Sequence, residues 1–191
     1  MEAEETNPSQ GRPPPLSQPP PEAILKPALR LLSARARSVM ELRDRLLKKG
    51  FNSSDVSYCI RWLADRGLLS DEAFAQSLTR DRVRFSPRSP FLLKRELTTK
   101  GVALSLAEEV VDSVLQEEGI PAGDLSARAA GSWVRKQSPA TRADLLEDRF
   151  SPARERARRR LYGFLARRGF VGDDARRGLE AGEKEARKLW G

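Results

Sequence analysis

The ten residues LRDRLLKKGF at positions 42–51 recur as LKRELTTKGV at 93–102 and LYGFLARRGF at 161–170. Each copy has two leucines four residues apart, which lie on one face of a helix. A cation in the last turn suits the negative end of the helix dipole, and the glycine after it can take the left-handed backbone that closes a helix. Each copy therefore predicts a helix end in which the apolar residue after the glycine contacts the second leucine.

The first two copies belong to a longer repeat with a constant offset of 51 residues. Ser38 and Ser89 are predicted N-caps, and Pro90 suits a first helical position. After each glycine, apolar residues recur on one face of a further helix. These are Val56, Cys59, Ile60 and Leu63 in the first copy and Ala107, Val110, Val111 and Val114 in the second.

We therefore predict an all-α fold, an elongated array of three tandem three-helix repeats with a disordered N-terminal tail. The segments are a proline-rich tail at 1–22 and repeats at 23–66 and 67–117. A linker and the third repeat follow at 118–191, with an insertion at 137–150. In the third repeat, Gly178 and Gly182 fall on the inner face of the last helix, which we expect to fray because interior glycine disfavours a helix.

Composition excludes several kinds of chemistry. The 191 residues include one cysteine and no histidine, so a site that needs an imidazole base or ligand is ruled out. No phosphate-binding glycine loop or nucleophile motif is present, and we expect neither enzymatic activity nor a cofactor or metal. Cys59 is predicted to be a small buried hydrophobe. Without a long apolar run or a signal peptide, we expect a cytoplasmic protein that does not contact membranes. We also expect a monomer.

Positive charge is concentrated in two segments. Residues 28–100 carry 16 Lys and Arg against 8 Asp and Glu, and residues 151–191 carry 12 against 6, whereas 101–150 carry 5 against 9. This distribution suits a polyanionic or mixed protein and nucleic-acid partner. The predicted binding residues are Arg80, Arg82, Arg84, Arg88, Lys94, Arg95, Arg154, Arg156, Arg158, Arg159 and Arg160.

Two other interpretations remain open. The cations can simply cover solvated helix faces, without a binding role. The helix predicted at 54–65 could also act as the recognition helix of a helix-turn-helix, but its expected exposed set, Asp55, Ser57, Tyr58, Arg61 and Asp65, is poorly suited to a major groove. The sequence shows no aromatic residues interleaved with the cations, so it gives no support to sequence-specific recognition of single strands.

The chain also resembles the RecX family of bacterial recombination regulators. The resemblance lies in ALRLL at 28–32, RSVMELRDRLLKKGF at 37–51, LLSDEAFA at 68–75, RELTTKGV at 95–102 and, in the third repeat, FLARRGF at 164–170. Where that family usually has a glycine before its second Glu-Leu helix, this chain has FSPRSP at 85–90.

The resemblance implies a non-enzymatic modulator that binds the RecA recombinase filament on single-stranded DNA. It would inhibit strand exchange, ATP hydrolysis and coprotease activity in DNA repair and the SOS response, with at most weak direct contact to DNA. The competing hypothesis is a helical module that acts directly on DNA or RNA.

Overall fold

A computed structural model describes residues 16–121 and 123–190. Within these ranges the chain forms α-helices and no β-strand, which confirms the predicted all-α class. The helices are α1 (Glu22–Ala34), α2 (Val39–Leu47), α3 (Ser53–Asp65), α4 (Asp71–Phe85), α5 (Pro90–Thr99), α6 (Leu104–Glu117), α7 (Asp124–Arg135), α8 (Pro139–Asp144), α9 (Pro152–Ala166) and α10 (Gly172–Trp190). The described residues divide into two compact units, one that ends at residue 71 and one that begins at residue 72.

The three repeated phrases end helices as predicted. Gly50, Gly101 and Gly169 have φ values of 91°, 87° and 81°. In each case the next residue donates its backbone N–H to the carbonyl of the second leucine, with N···O distances of 3.4, 3.1 and 3.1 Å. This bond defines the Schellman motif. It confirms that the Leu-x3-Leu phrase is the C-terminal half of a helix.

The same closure occurs after α3 and α6, outside the repeated phrase. Gly67 and Gly119 have φ values of 67° and 60°. Leu68 donates to the Leu63 carbonyl at 2.9 Å, and the equivalent bond after α6 has the same length. Both helices that end a predicted repeat therefore use the same terminator as the helix before them.

The first unit packs α1, α2 and α3 around one apolar core. Leu42, Leu46 and Leu63 are fully buried there. Cys59 is also buried as predicted, and burial raises the pKa of its thiol to about 11. The N-cap Ser38 accepts the Glu41 N–H at 3.0 Å, as its position predicts.

The tail prediction is tested only in part, since residues 1–15 lie outside the described residues. Residues 16–21 contact α3. Tyr58 donates its hydroxyl to the Gln18 carbonyl at 2.6 Å, and Pro20 is buried. The expectation that Tyr58 is exposed is wrong, because this contact leaves only 9% of its surface accessible.

In the second unit, the predicted second and third repeats share a core. It joins Phe74 of α4 and Leu97 of α5 to Leu125 of α7 and Leu161 of α9. The backbone also links them, because the Ser89 N–H donates to the Arg168 carbonyl at 2.9 Å. This bond ties the start of α5 to the end of α9.

The expected fraying of the last helix is wrong. Helix α10 runs for 19 residues and packs closely along α7. Its buried glycines also allow a close approach to α9, because a Cβ on Gly182 would lie 2.6 Å from Leu161 and one on Gly178 would lie 2.8 Å from Leu165. The prediction of fraying rested on the low helix propensity of glycine. That propensity takes no account of the close packing that a missing side chain allows.

Replacing Gly182 with alanine should therefore destabilise the protein by about 1–3 kcal/mol, since overpacking a core outweighs the gain in helix propensity. The matched control is Gly163→Ala in α9, where the nearest atom to a new Cβ is the mobile end of Arg167, 3.5 Å away. We expect the control to leave stability equal or higher in urea unfolding. Equal destabilisation by both changes would contradict the packing role of Gly182.

The helix terminators give a second prediction. Gly50→Val should lower the melting temperature, because a β-branched residue at this φ costs about 1 kcal/mol or more. Gly50→Asn should cost less, since asparagine tolerates the left-handed region. If thermal unfolding shows the two variants to be equally stable, the conformation of Gly50 does not limit stability.

Candidate functional site

The predicted arginines of α4 are engaged with carboxylates of the same unit. Arg80 pairs with Glu117 at 2.8 Å, and Arg84 pairs with Glu118 at 2.6 Å. These acids lie 37 and 34 residues away in the chain. The positive charge of the α4 surface is therefore partly neutralised by the end of α6.

Glu96 holds the loop between α4 and α5. Its carboxylate accepts two N–H groups of Arg82, with a shortest distance of 2.6 Å, and one N–H of Arg88 at 2.8 Å. Burial alone would raise the pKa of the Glu96 carboxyl, but the Arg82 hydrogen bond and the charges of both arginines hold that pKa below its ordinary value. Arg82 and Arg88 therefore fix the segment 85–90, where the sequence departs from the family pattern.

The two remaining cations of this group differ. Lys94 approaches Asp112 of α6 at 3.2 Å. Arg95 is exposed on α5, and its guanidinium has no carboxylate partner among the described residues. Of the predicted cations before residue 100, Arg95 is thus the one whose charge is left for an external partner.

The arginines of α9 divide in the same way. Arg154 and Arg158 both bind Glu183 of α10, and Arg159 pairs with Glu155 one turn away. These bonds fasten α9 to α10 or lie along α9 itself.

Arg156 and Arg160 are exposed, and neither has a carboxylate partner within the described ranges. They are four residues apart, and Arg167 lies seven further on, so all three fall on one face of α9. Arg167, which the sequence analysis did not select, is likewise exposed and unpaired in the described part of the chain.

The structure also contains a cationic groove between α4, α7 and α10, which the sequence did not predict. Its volume is about 560 Å³, and Ala127 and Gly131 are among its small lining residues. The cations that line it are Arg84, Arg128, Arg135, Lys184 and Lys188, against the single acid Glu185. No simple spacing marks these residues in the sequence, because the groove exists only where three helices meet.

Other kinds of site are not found in the described part. No group of three or more Cys, Asp or Glu residues there could hold a metal ion. None of its helices is long and apolar enough to cross a membrane. The distinctive chemistry of the described surface is its unpaired cations and the groove.

Comparisons with known proteins agree with this fold and also indicate a protein family. Two family models match, described as the first three-helix domain of RecX at residues 28–66 and the second at 70–111. A solved structure of RecX from Lactobacillus salivarius covers 85% of this chain and 96% of its own, with a TM-score of 0.62 and 19% identity. At that identity the structural likeness supports the fold alone.

Sequence relatives are closer. The regulatory protein RecX of Mycobacterium sp. (strain KMS) is 36% identical over 165 residues, which is 84% of both chains. The regulatory protein RecX of Halorhodospira halophila is 32% identical over 167 residues, 86% of this chain and 91% of that protein. Because similarity at this level spans most of both chains, this chain belongs to the RecX family of regulatory proteins.

Proposed function

We propose that this protein binds the RecA recombinase filament on single-stranded DNA and inhibits its recombinase, ATPase and coprotease activities in DNA repair and the SOS response. The observation that carries the proposal is similarity to proteins named regulatory protein RecX over 84% of the chain. The cationic surface supports it, since an anionic assembly of protein and DNA would attract such a surface.

The contact residues follow from the pairing of the cations. An arginine already bonded to a carboxylate must give up that partner before it binds another, which reduces its net gain by about 0–1 kcal/mol for an exposed pair and by more for a partly buried one. Arg95, Arg156 and Arg160 have no such partner in the described ranges. We assign the filament contact to these three and treat Arg82, Arg88, Arg154 and Arg158 as residues that hold the helices together.

The assignment predicts different effects for two matched double variants. Arg156→Gln/Arg160→Gln should raise the concentration needed for half-inhibition of RecA ATP hydrolysis by about tenfold, because hydrogen bonds to charged groups are removed from the interface. Arg80→Gln/Arg159→Gln removes equal charge from arginines that already have carboxylate partners and that do not line the cationic groove, and should have a smaller effect. Both should melt near the wild-type temperature, since changes at exposed positions alter stability by about 0.5 kcal/mol or less.

Two results would count against this account. If both double variants relieve inhibition equally, the contact does not depend on unpaired arginines. If inhibition by the wild-type protein rises only in proportion to the single-stranded DNA that it withholds from RecA, the protein acts by sequestering DNA, and the filament proposal fails.

A further inference from the structure

The cationic groove continues into a cleft lined by aromatic rings. This aromatic cleft has a volume of about 70 Å³ and shares Pro87 and Ser132 with the groove. Its lining includes Phe85, Trp133, Phe164, Lys136 and Arg168. Cations and aromatic rings that are scattered in the sequence thus form one continuous surface in the second unit.

Two groove cations are left without a counter-charge. Glu185 binds Arg135 at 2.6 Å and lies 3.9 Å from Lys188, so the single acid of the groove is already engaged. Arg128 and Lys184 are both exposed and have no ion pair with any described residue. The groove therefore presents unbalanced positive charge to a ligand.

The cleft contains a guanidinium whose Nε is not hydrogen-bonded to any described residue. Arg168 stacks over the Phe164 ring at 3.9 Å, and its buried Nε has no hydrogen-bond acceptor within the described part. Burial and the nearby charges of Arg88 and Arg167 disfavour the charged form, which lowers the pKa of Arg168. An electron-rich ligand oxygen that approaches Arg168 from the cleft would balance this clustered positive charge.

The aromatic rings offer stacking surface at the mouth of the cleft. Phe85 is 78% exposed, so its ring is open to a ligand. Trp133 is half-buried beside Phe164, with ring centroids 6.3 Å apart. The cleft is too small to enclose a whole base, so the exposed face of Phe85 is the available platform.

We propose that the cationic groove and the aromatic cleft form a binding site for single-stranded nucleic acid. Phosphates would lie along Arg128 and Lys184, and a base would stack on Phe85 with an edge towards Arg168. A positive groove combined with stacking rings is the chemistry by which proteins hold single strands. A duplex keeps its bases stacked inside, and an acidic peptide has no need of the rings, so both fit this surface less well.

The site can be tested with the full chain and no recombinase, so its failure leaves the filament proposal untouched. Fluorescence anisotropy would follow binding of labelled oligodeoxythymidylate as salt is varied, with oligouridylate as a parallel probe to tell DNA from RNA. Arg128→Glu/Lys184→Glu should weaken binding at least about tenfold. It should also make the slope of log K against log salt shallower by about 1.4, because each phosphate that is no longer neutralised changes that slope by about 0.7. The control Arg30→Glu/Arg61→Glu makes the same charge change on exposed helix positions of the first unit.

The stacking role is tested separately. Phe85→Ala should weaken binding about fivefold or more while leaving the salt slope unchanged, since stacking does not depend on counterions. The matched control is Phe91→Ala, because Phe91 is 72% exposed in the same unit but does not line the groove or the cleft. Circular dichroism would verify that every variant remains helical.

Three results would overturn the proposal. The first is that the wild-type protein binds neither single-stranded probe. The second is that each variant behaves as its control does, which would mean that net charge and surface apolarity alone govern binding. The third is displacement of the oligonucleotide by polyglutamate at the same charge concentration, which would identify the groove as a site for acidic protein segments.

Discussion

The left-handed closure of each helix is the constraint on which the fold depends. At Gly50, Gly101 and Gly169, the chain reverses within two residues and returns the next apolar side chain to the helix it has just left. A residue with a side chain would resist this conformation. Short helices of this kind are marginal on their own, so the sharp reversals that allow them to pack also allow them to form.

A second constraint determines which charges can act on a partner. The chain carries 35 Lys and Arg residues, but charge density alone does not identify a binding surface. Glu96 and Glu183 each hold two arginines, and in doing so they fasten α4 to α5 and α9 to α10. Arginine thus has a structural role at position 82, whereas the charge of Arg156 is available to a partner. Partly buried pairing separates the two roles because breaking such a pair leaves an uncompensated charge behind.

Local patterns predicted the local structure. The caps, the glycine terminators and the buried faces of α2, α3 and α6 follow from spacings of three to seven residues, and all of them are present. The close packing of α10 on α9 was not predicted, because it depends on Leu161 and Leu165, which lie in a different helix from the glycines. The pairing of Arg80 with Glu117 was missed for the same reason, since the two are 37 residues apart. The groove and cleft arise only when α4, α7, α9 and α10 meet, and no single segment contains their pattern.

The cations of the second unit divide into those bonded to carboxylates and those available to a partner. The mobility of the arginine side chains in solution tests this division directly. Nitrogen-15 relaxation and hydrogen exchange at arginine Nε–H groups would compare Arg82, whose Nε lies 3.0 Å from a Glu96 oxygen, with Arg156 and Arg160. The account predicts a rigid, slowly exchanging Nε–H at Arg82 and mobile, rapidly exchanging ones at Arg156 and Arg160. Equal mobility and exchange at all three positions would contradict the division and the choice of contact residues that rests on it.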